Sequence, residues 1–157
     1  MSELTAQALR QRLLGWAEHE EAWSPLVRHA TGERVHALLH RDEEIEVYVV
    51  CWTAGHDTGF HDHDESAAAI TVLAGMVAEE RLTLGGPVAT ALAAGDTVTI
   101  AREAIHRVRH TGELPAVTLH AYSPPLQRVG TYEVADDGAL LRHPRPSDVT
   151  LEAASAA

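Results

Sequence analysis

From Arg34 onward, apolar and polar side chains alternate in short runs: Val35 to His40, Ile45 to Trp52, Ala68 to Leu73, Met76 to Leu84, Thr97 to Ala101, His106 to His110 and Ala116 to Tyr122. A two-residue period is that of a β-strand, whose successive side chains point to opposite faces. Turn-forming stretches separate the runs: Arg41-Asp42-Glu43-Glu44, Gly85-Gly86-Pro87, Ala94-Gly95-Asp96 and Thr111-Gly112-Glu113. Many short strands at this spacing predict a sandwich or small barrel. Before Arg34 the period is helical. Leu4, Leu9, Leu13 and Leu14 predict a helix from Ser2 to about Val27, with Ser2 or Thr5 able to cap it. Ser24-Pro25 offers a second helix start. After Pro124-Pro125 no period is visible, and Ala153 to Ala157 is expected to fray.

Within this pattern the run Ala116 to Tyr122 stands apart. Alternation puts Thr118, His120 and Tyr122 on one face and Val117, Leu119 and Ala121 on the other. Three polar groups facing the inside of a small barrel are costly unless they serve a polar site. The alternative is an edge strand with a polar outer face.

Composition narrows the possibilities. The 157 residues suit a single domain with a real core: residues 1–32 helical, 33–125 the barrel, 126–157 an irregular segment. All 12 basic residues are arginine, so no lysine is available for Schiff-base chemistry. A net charge of -11 argues against nucleic acid or an anionic membrane as partner. Cys51 is the only cysteine, which rules out an internal disulfide. No stretch approaches the ~20 apolar residues that span a bilayer. Met1-Ser2-Glu3-Leu4 lacks the features of a signal peptide. A cytoplasmic protein, monomer or weak homo-oligomer, acting on a small molecule is therefore expected.

Candidate chemistry is concentrated between Gly55 and His63. His61 and His63 lie two apart, so strand geometry lets both imidazoles meet one point, and His106 arrives from a later strand. Two close histidines and one distant one, on a small β body, suit a transition metal. The intervals are specific. Five residues separate Gly55 from His61, Gly75 lies twelve after His63, and ten residues separate Gly95 from His106. These spacings resemble the two motifs of the cupin barrels. Ala68 occupies the position of the motif carboxylate, and Ala101 and Glu103 those of the second motif's proline and glycine. A cupin site here would use three histidines and no carboxylate.

Cys51-Trp52, His61-Asp62-His63, Ile105-His106-Arg107-Val108 and Leu119-His120-Ala121-Tyr122-Ser123-Pro124-Pro125 occur in the order found in cysteine dioxygenases. From about Glu33 to Pro125 the chain resembles the cysteine dioxygenase type I family, cupin-superfamily thiol dioxygenases, and reads as a divergent bacterial member. The resemblance implies a mainly β, single-domain cupin with N-terminal helices. It implies Fe(II) held by His61, His63 and His106, with a small thiol and dioxygen as substrates. Tyr122 falls on the family's active-site tyrosine. His120 and Thr118 fall on its hydrogen-bonding partners, with serine usual in place of Thr118. Three neutral imidazoles leave Fe(II) its full double charge, so an anionic thiolate and an amine can bind it directly. On this reading Tyr122 hydrogen-bonds to the reacting oxygen and His120 orients the phenol.

Two departures bear on the substrate. The cysteine that crosslinks to the tyrosine in animal enzymes is Ala68 here, and Cys51 reads as a core residue. The family's carboxylate-binding arginine lies 25 residues before the first metal histidine, where this chain has His36. A histidine lacks the permanent two-pronged charge of a guanidinium. His36 itself, Arg34 two residues earlier and Arg128 past Pro124-Pro125 are the candidates for binding the substrate; if neither arginine enters the pocket, the substrate is not expected to be a simple amino acid. Asp62 and Asp64 alternate away from the ligands and are expected at the surface. Arg107 and Arg109 are expected to be solvated or paired, and His110 is a candidate for the barrel lining. Three functions compete: an Fe(II)-dependent thiol dioxygenase making a sulfinate, a cupin oxygenase acting on a different substrate, and a non-catalytic metal-binding cupin.

Overall fold

A computed structural model describes residues 4–147; the Ser2 cap and the tail from Ala153 to Ala157 lie outside the described residues. The N-terminal helix is shorter than its leucine spacing predicts. α1 runs over Ala6–Ala17 with Thr5 as its cap, the hydroxyl accepting from the Ala8 amide at 3.1 Å. The helix stops there because side chains take its last carbonyls. The His19 ring bonds to the Gly15 carbonyl at 2.8 Å, and the Trp23 indole donates to Ala17 at 3.0 Å. A short α2, Glu20–Trp23, and one 3-10 turn over Ser24–Leu26 follow.

Among the described residues eleven strands form two antiparallel sheets. They are β1 (Val35–Arg41), β2 (Glu46–Trp52), β3 (His61–Asp62), β4 (Ala67–Ala74), β5 (Met76–Thr83), β6 (Gly86–Ala93), β7 (Thr97–Ile100), β8 (His106–Thr111), β9 (Ala116–Ser123), β10 (Arg128–Val134) and β11 (Leu140–Pro146). The first sheet has the order β1-β2-β9-β4-β7 and the second β11-β10-β3-β8-β5-β6. Four of these strands lie outside the alternating runs; β3, two residues long, is too short to show a period. β6 reads as turn and irregular chain because Pro87 to Ala91 are all exposed and show no buried face. β10 and β11 replace the irregular segment expected after Pro125, pairing from Arg128 with Pro146 to Val134 with Leu140. β6 and β11 are sheet edges, where prolines 87, 144 and 146 can withhold an amide without breaking a ladder.

β9 is central rather than an edge, and all eight of its residues are buried. Its two faces meet different cores. Val117, Leu119 and Ala121 pack with Val47, Val49 and Cys51 beneath Leu9 and Leu13 of α1. Tyr122 faces the interior between the sheets with Val50, Trp52, Val77 and Val108. The helix therefore closes the outer face of the first sheet and leaves the inner face to build a site.

Gly75 alone joins β4 in one sheet to β5 in the other. Its φ is +72°, and a Cβ would stand 2.6 Å from the Pro115 carbonyl oxygen and 2.7 Å from Ala116 Cα. Both are backbone atoms that cannot turn aside. Gly75→Ala should therefore lower stability by about 2–4 kcal/mol. Thermal melting checks this; an unchanged Tm would mean the corner yields without cost.

Candidate metal centre

β3 is only two residues long, but it is held on both sides. His61 pairs with His106 of β8, and Thr131 and Gly130 of β10 pair with His61 and Asp62. Cross-strand pairing thus sets His61 beside His106, and the strand's period returns His63 to the same side. Ring centroids are 4.9 Å apart for His61 and His63, 4.7 Å for His61 and His106, and 4.9 Å for His63 and His106. One nitrogen from each ring lies within 4.8 Å of the others, and the Nε2 atoms of His63 and His106 are 3.3 Å apart. Two nitrogens each ~2.0–2.1 Å from one ion would be separated by roughly 3.0–3.4 Å, so the spacing fits a metal. His61 Nδ1 donates to the Gly59 carbonyl at 2.9 Å, which frees its Nε2 for an ion. Burial first, and then the neighbouring imidazoles, hold His63 and His106 well below the usual histidine range; burial also lowers His61. All three are neutral, the form that ligates.

Asp62, between His61 and His63, is buried and not at the surface as alternation suggested. Its side chain points away from the imidazoles into the hairpin β10–β11. There it accepts from Arg142 Nε at 2.8 Å, Arg142 Nη2 at 3.0 Å, the Gly130 amide at 3.1 Å and the Tyr132 hydroxyl. Against the upward push of burial, Arg142 and Tyr132 hold the carboxyl well below its usual range. The hairpin that carried no period is what anchors the His-Asp-His strand.

A cavity of about 40 Å³ opens over the three rings. Tyr122 and His120 enter it from β9, as alternation predicted, and the Tyr122 ring lies 5.1 Å from that of His63. Ala68, directly across the ladder from Tyr122, presents only a methyl group. His120 Nε2 bonds to Thr118 Oγ1 at 2.8 Å, and Thr118 Oγ1 accepts from the Trp52 indole at 2.9 Å. Among the described residues His120 makes no hydrogen bond to the Tyr122 phenol, so the expected orienting contact is instead a link through Thr118 to Trp52. Burial, with Arg34 and His61 adding to it, lowers the His120 pKa to about 3, and that ring too is neutral.

Of the three candidates for carboxylate binding, Arg34 lines the cavity. It is 5% exposed, with its guanidinium 5.0 Å over the Trp52 ring. Burial draws its pKa down to about 10, opposed by Tyr122 and Asp57, and it stays cationic at neutral pH. His36 sits outside the lining, edge-on to Tyr48 at 6.2 Å. Arg128 is exposed and is not part of the cavity lining; it borders an adjoining depression with Ser66 and Pro124 that shares His63 with the cavity. The backbone places Arg34 just before β1, and β1 pairs with β2, the strand that supplies Tyr48, Val50 and Trp52 to the wall. Those wall residues escaped sequence reasoning because β2 is apolar on both faces. The remaining candidates are structural. Arg107 and Arg109 pair with Glu80 at 2.6 and 3.3 Å, and His110 bonds to the Leu114 carbonyl at 2.8 Å outside the cavity.

The family profile described as cysteine dioxygenase type I matches residues 11–135. Cysteine dioxygenase type 1 of Danio rerio is 28% identical over 101 residues, covering 57% of this chain and 50% of that protein. The chain therefore spans about half the length of this curated relative. Among solved structures, a Thermus thermophilus protein superposes with a TM-score of 0.59 at 20% identity, over 65% of this chain and 93% of that one. A cupin superfamily protein of Desulfitobacterium hafniense gives a TM-score of 0.56 at 11% identity, over 65% and 87%. A double-stranded β-helix protein of Klebsiella pneumoniae gives 0.58 at 21%, over 64% and 80%. These neighbours share the fold, a cupin barrel. Among the described residues no helix is long and apolar enough to cross a membrane.

Proposed function

The chain belongs to the cysteine dioxygenase type I family, and on that premise we propose that it is an Fe(II)-dependent dioxygenase converting a small thiol that carries a carboxylate into the sulfinate. The observation that carries this reading is the joint presence, around one small cavity, of three neutral imidazoles without a carboxylate ligand, a buried phenol and a buried guanidinium. The reaction RS⁻ + O₂ → RSO₂⁻ balances without an external reductant. Sulfur loses four electrons and the two oxygen atoms gain them.

His61, His63 and His106 would hold the metal through one ring nitrogen each. Fe(II) bound there would supply the electrophilic centre at which thiolate and dioxygen meet. The protein does the rest. Arg34 clamps the substrate carboxylate by a charge-assisted contact, and its place over Trp52 keeps the guanidinium from swinging away. Tyr122 keeps its proton, because burial pushes the phenol above its usual range despite the opposing pull of Arg34. It therefore donates a hydrogen bond to the reacting oxygen rather than competing with thiolate as an anion. Val50, Val108, Leu126 and Val129 line the remaining wall and keep water out. A small cavity with one fixed cation favours a short thiol acid such as 3-mercaptopropionate or cysteine over a larger or uncharged thiol.

Oxygen consumption by iron-loaded protein with cysteine, 3-mercaptopropionate, cysteamine and larger thiols tests this reading. The two thiol acids should be turned over best. In the same assay Tyr122→Phe should lose about threefold to tenfold in kcat, the worth of one neutral hydrogen bond, at unchanged iron content. Equal rates for Tyr122→Phe and the parent would remove the phenol from the reaction.

A further inference from the structure

The three imidazoles are not anchored alike. His61 has the Gly59 carbonyl for its Nδ1. His106 Nδ1 is buried and makes no hydrogen bond among the described residues. The group it faces is Glu79 Oε2, 3.4 Å away and just outside hydrogen-bond geometry. That oxygen is also buried and without a hydrogen bond. Glu79 is 2% exposed and comes from β5, the strand that pairs with β8. Its other oxygen accepts from Arg81 Nε at 2.7 Å, while Arg81 Nη2 donates to the Thr99 carbonyl at 2.6 Å.

A carboxylate this deep is costly, and an apolar side chain of similar size would fill the position at less expense. Arg81 answers one oxygen only. The second is aimed at His106 Nδ1; among the described residues His63 Nδ1 is also buried without a hydrogen bond, but no carboxylate faces it.

We infer that Glu79 is a positioning residue for the metal centre. Its Oε2 accepts the Nδ1 proton of His106, which fixes the tautomer and turns Nε2 toward His63. The inference rests on the reading that the three histidines hold the metal. It gives that reading a further content. Where the cupin pattern has a carboxylate ligand, this chain has Ala68, and it has a carboxylate behind an imidazole instead. Glu79 strengthens His106 as a donor and places negative charge one ring away from the ion, while occupying no coordination position that a thiolate needs. Arg81, held by Thr99, keeps the carboxylate from turning outward.

The test compares the parent with Glu79→Gln and Glu79→Leu. Nitrogen-15 imidazole spectra of the metal-free proteins report the tautomer, and Co(II) titration reports affinity. The parent should show His106 with its proton on Nδ1. Glu79→Leu should lose that preference and bind Co(II) roughly tenfold to a hundredfold more weakly. Glu79→Gln keeps a carbonyl acceptor without the charge, so it should retain the tautomer and lose less affinity; it decides the matter if Glu79→Leu does not fold. Co(II) binding by both variants within twofold of the parent, or an unchanged tautomer in Glu79→Leu, would overturn the role of Glu79 while leaving the metal site standing. A parent protein that binds no Co(II) would overturn the metal reading and this inference together.

Discussion

Alanine at His61, His63 or His106 should each leave a protein that is folded but retains no iron and shows no thiol-dependent oxygen uptake. With three protein ligands, losing one removes a third of the protein's grip. Structural zinc sites in small peptides bind with an apparent ~10–16 kcal/mol spread over four ligands, so one imidazole is worth about 2–4 kcal/mol, or roughly thirtyfold to a thousandfold in affinity. Two remaining imidazoles cannot outcompete buffer and chelators for Fe(II), which ranks low among divalent metals in intrinsic affinity. His63 and His106 are the more severe cases, since they are fully buried and their Nε2 atoms stand 3.3 Å apart. Iron content by elemental analysis after desalting is the readout. Full retention by any one of the three variants would mean that residue is not a ligand.

Arg34→Ala should reduce kcat/KM for 3-mercaptopropionate by roughly tenfold to a hundredfold, the 1.5–3 kcal/mol of a hydrogen bond to a charged group. The contact is desolvated, so solvent screening does little to weaken it: the guanidinium is 5% exposed and packed against Trp52. Cysteamine has no carboxylate and should lose nothing comparable, which separates lost recognition from a damaged site. Arg128→Ala is the control, because that side chain is exposed and lies outside the cavity. Steady-state kinetics of the two variants on the two thiols decides it. An equal loss on both thiols for Arg34→Ala would assign that arginine to the architecture and not to the substrate.

What alternation can and cannot carry is plain from β9. A period of two separated Thr118, His120 and Tyr122 from Val117, Leu119 and Ala121, and the two sets do meet different cores. The same period turned Asp62 away from His61 and His63 but could not say what waits there. Its partners Tyr132 and Arg142 lie on a hairpin whose outer strand is exposed and interrupted by prolines, so it leaves no apolar signature. Glu79 sits beside Glu80 in a polar run, and only the pairing of β5 with β8 shows which of the two turns inward. Arg34 and Arg128 offer the same guanidinium, and His36 a weaker cation; choosing among them requires the position of β1 against β2 and the depth of the cavity between the sheets. The histidine spacing was legible because β3 and β8 are direct neighbours, so a ladder contact converts spacing into geometry.

The most direct test of the account is turnover of 3-mercaptopropionate or cysteine by the iron-loaded protein under ¹⁸O₂, with mass spectrometry of the product. One sulfinate per dioxygen consumed is expected, with both oxygen atoms labelled and no external reductant required. A protein that holds iron on its three histidines yet consumes no oxygen with either thiol, or that yields disulfide or singly labelled product, would contradict it.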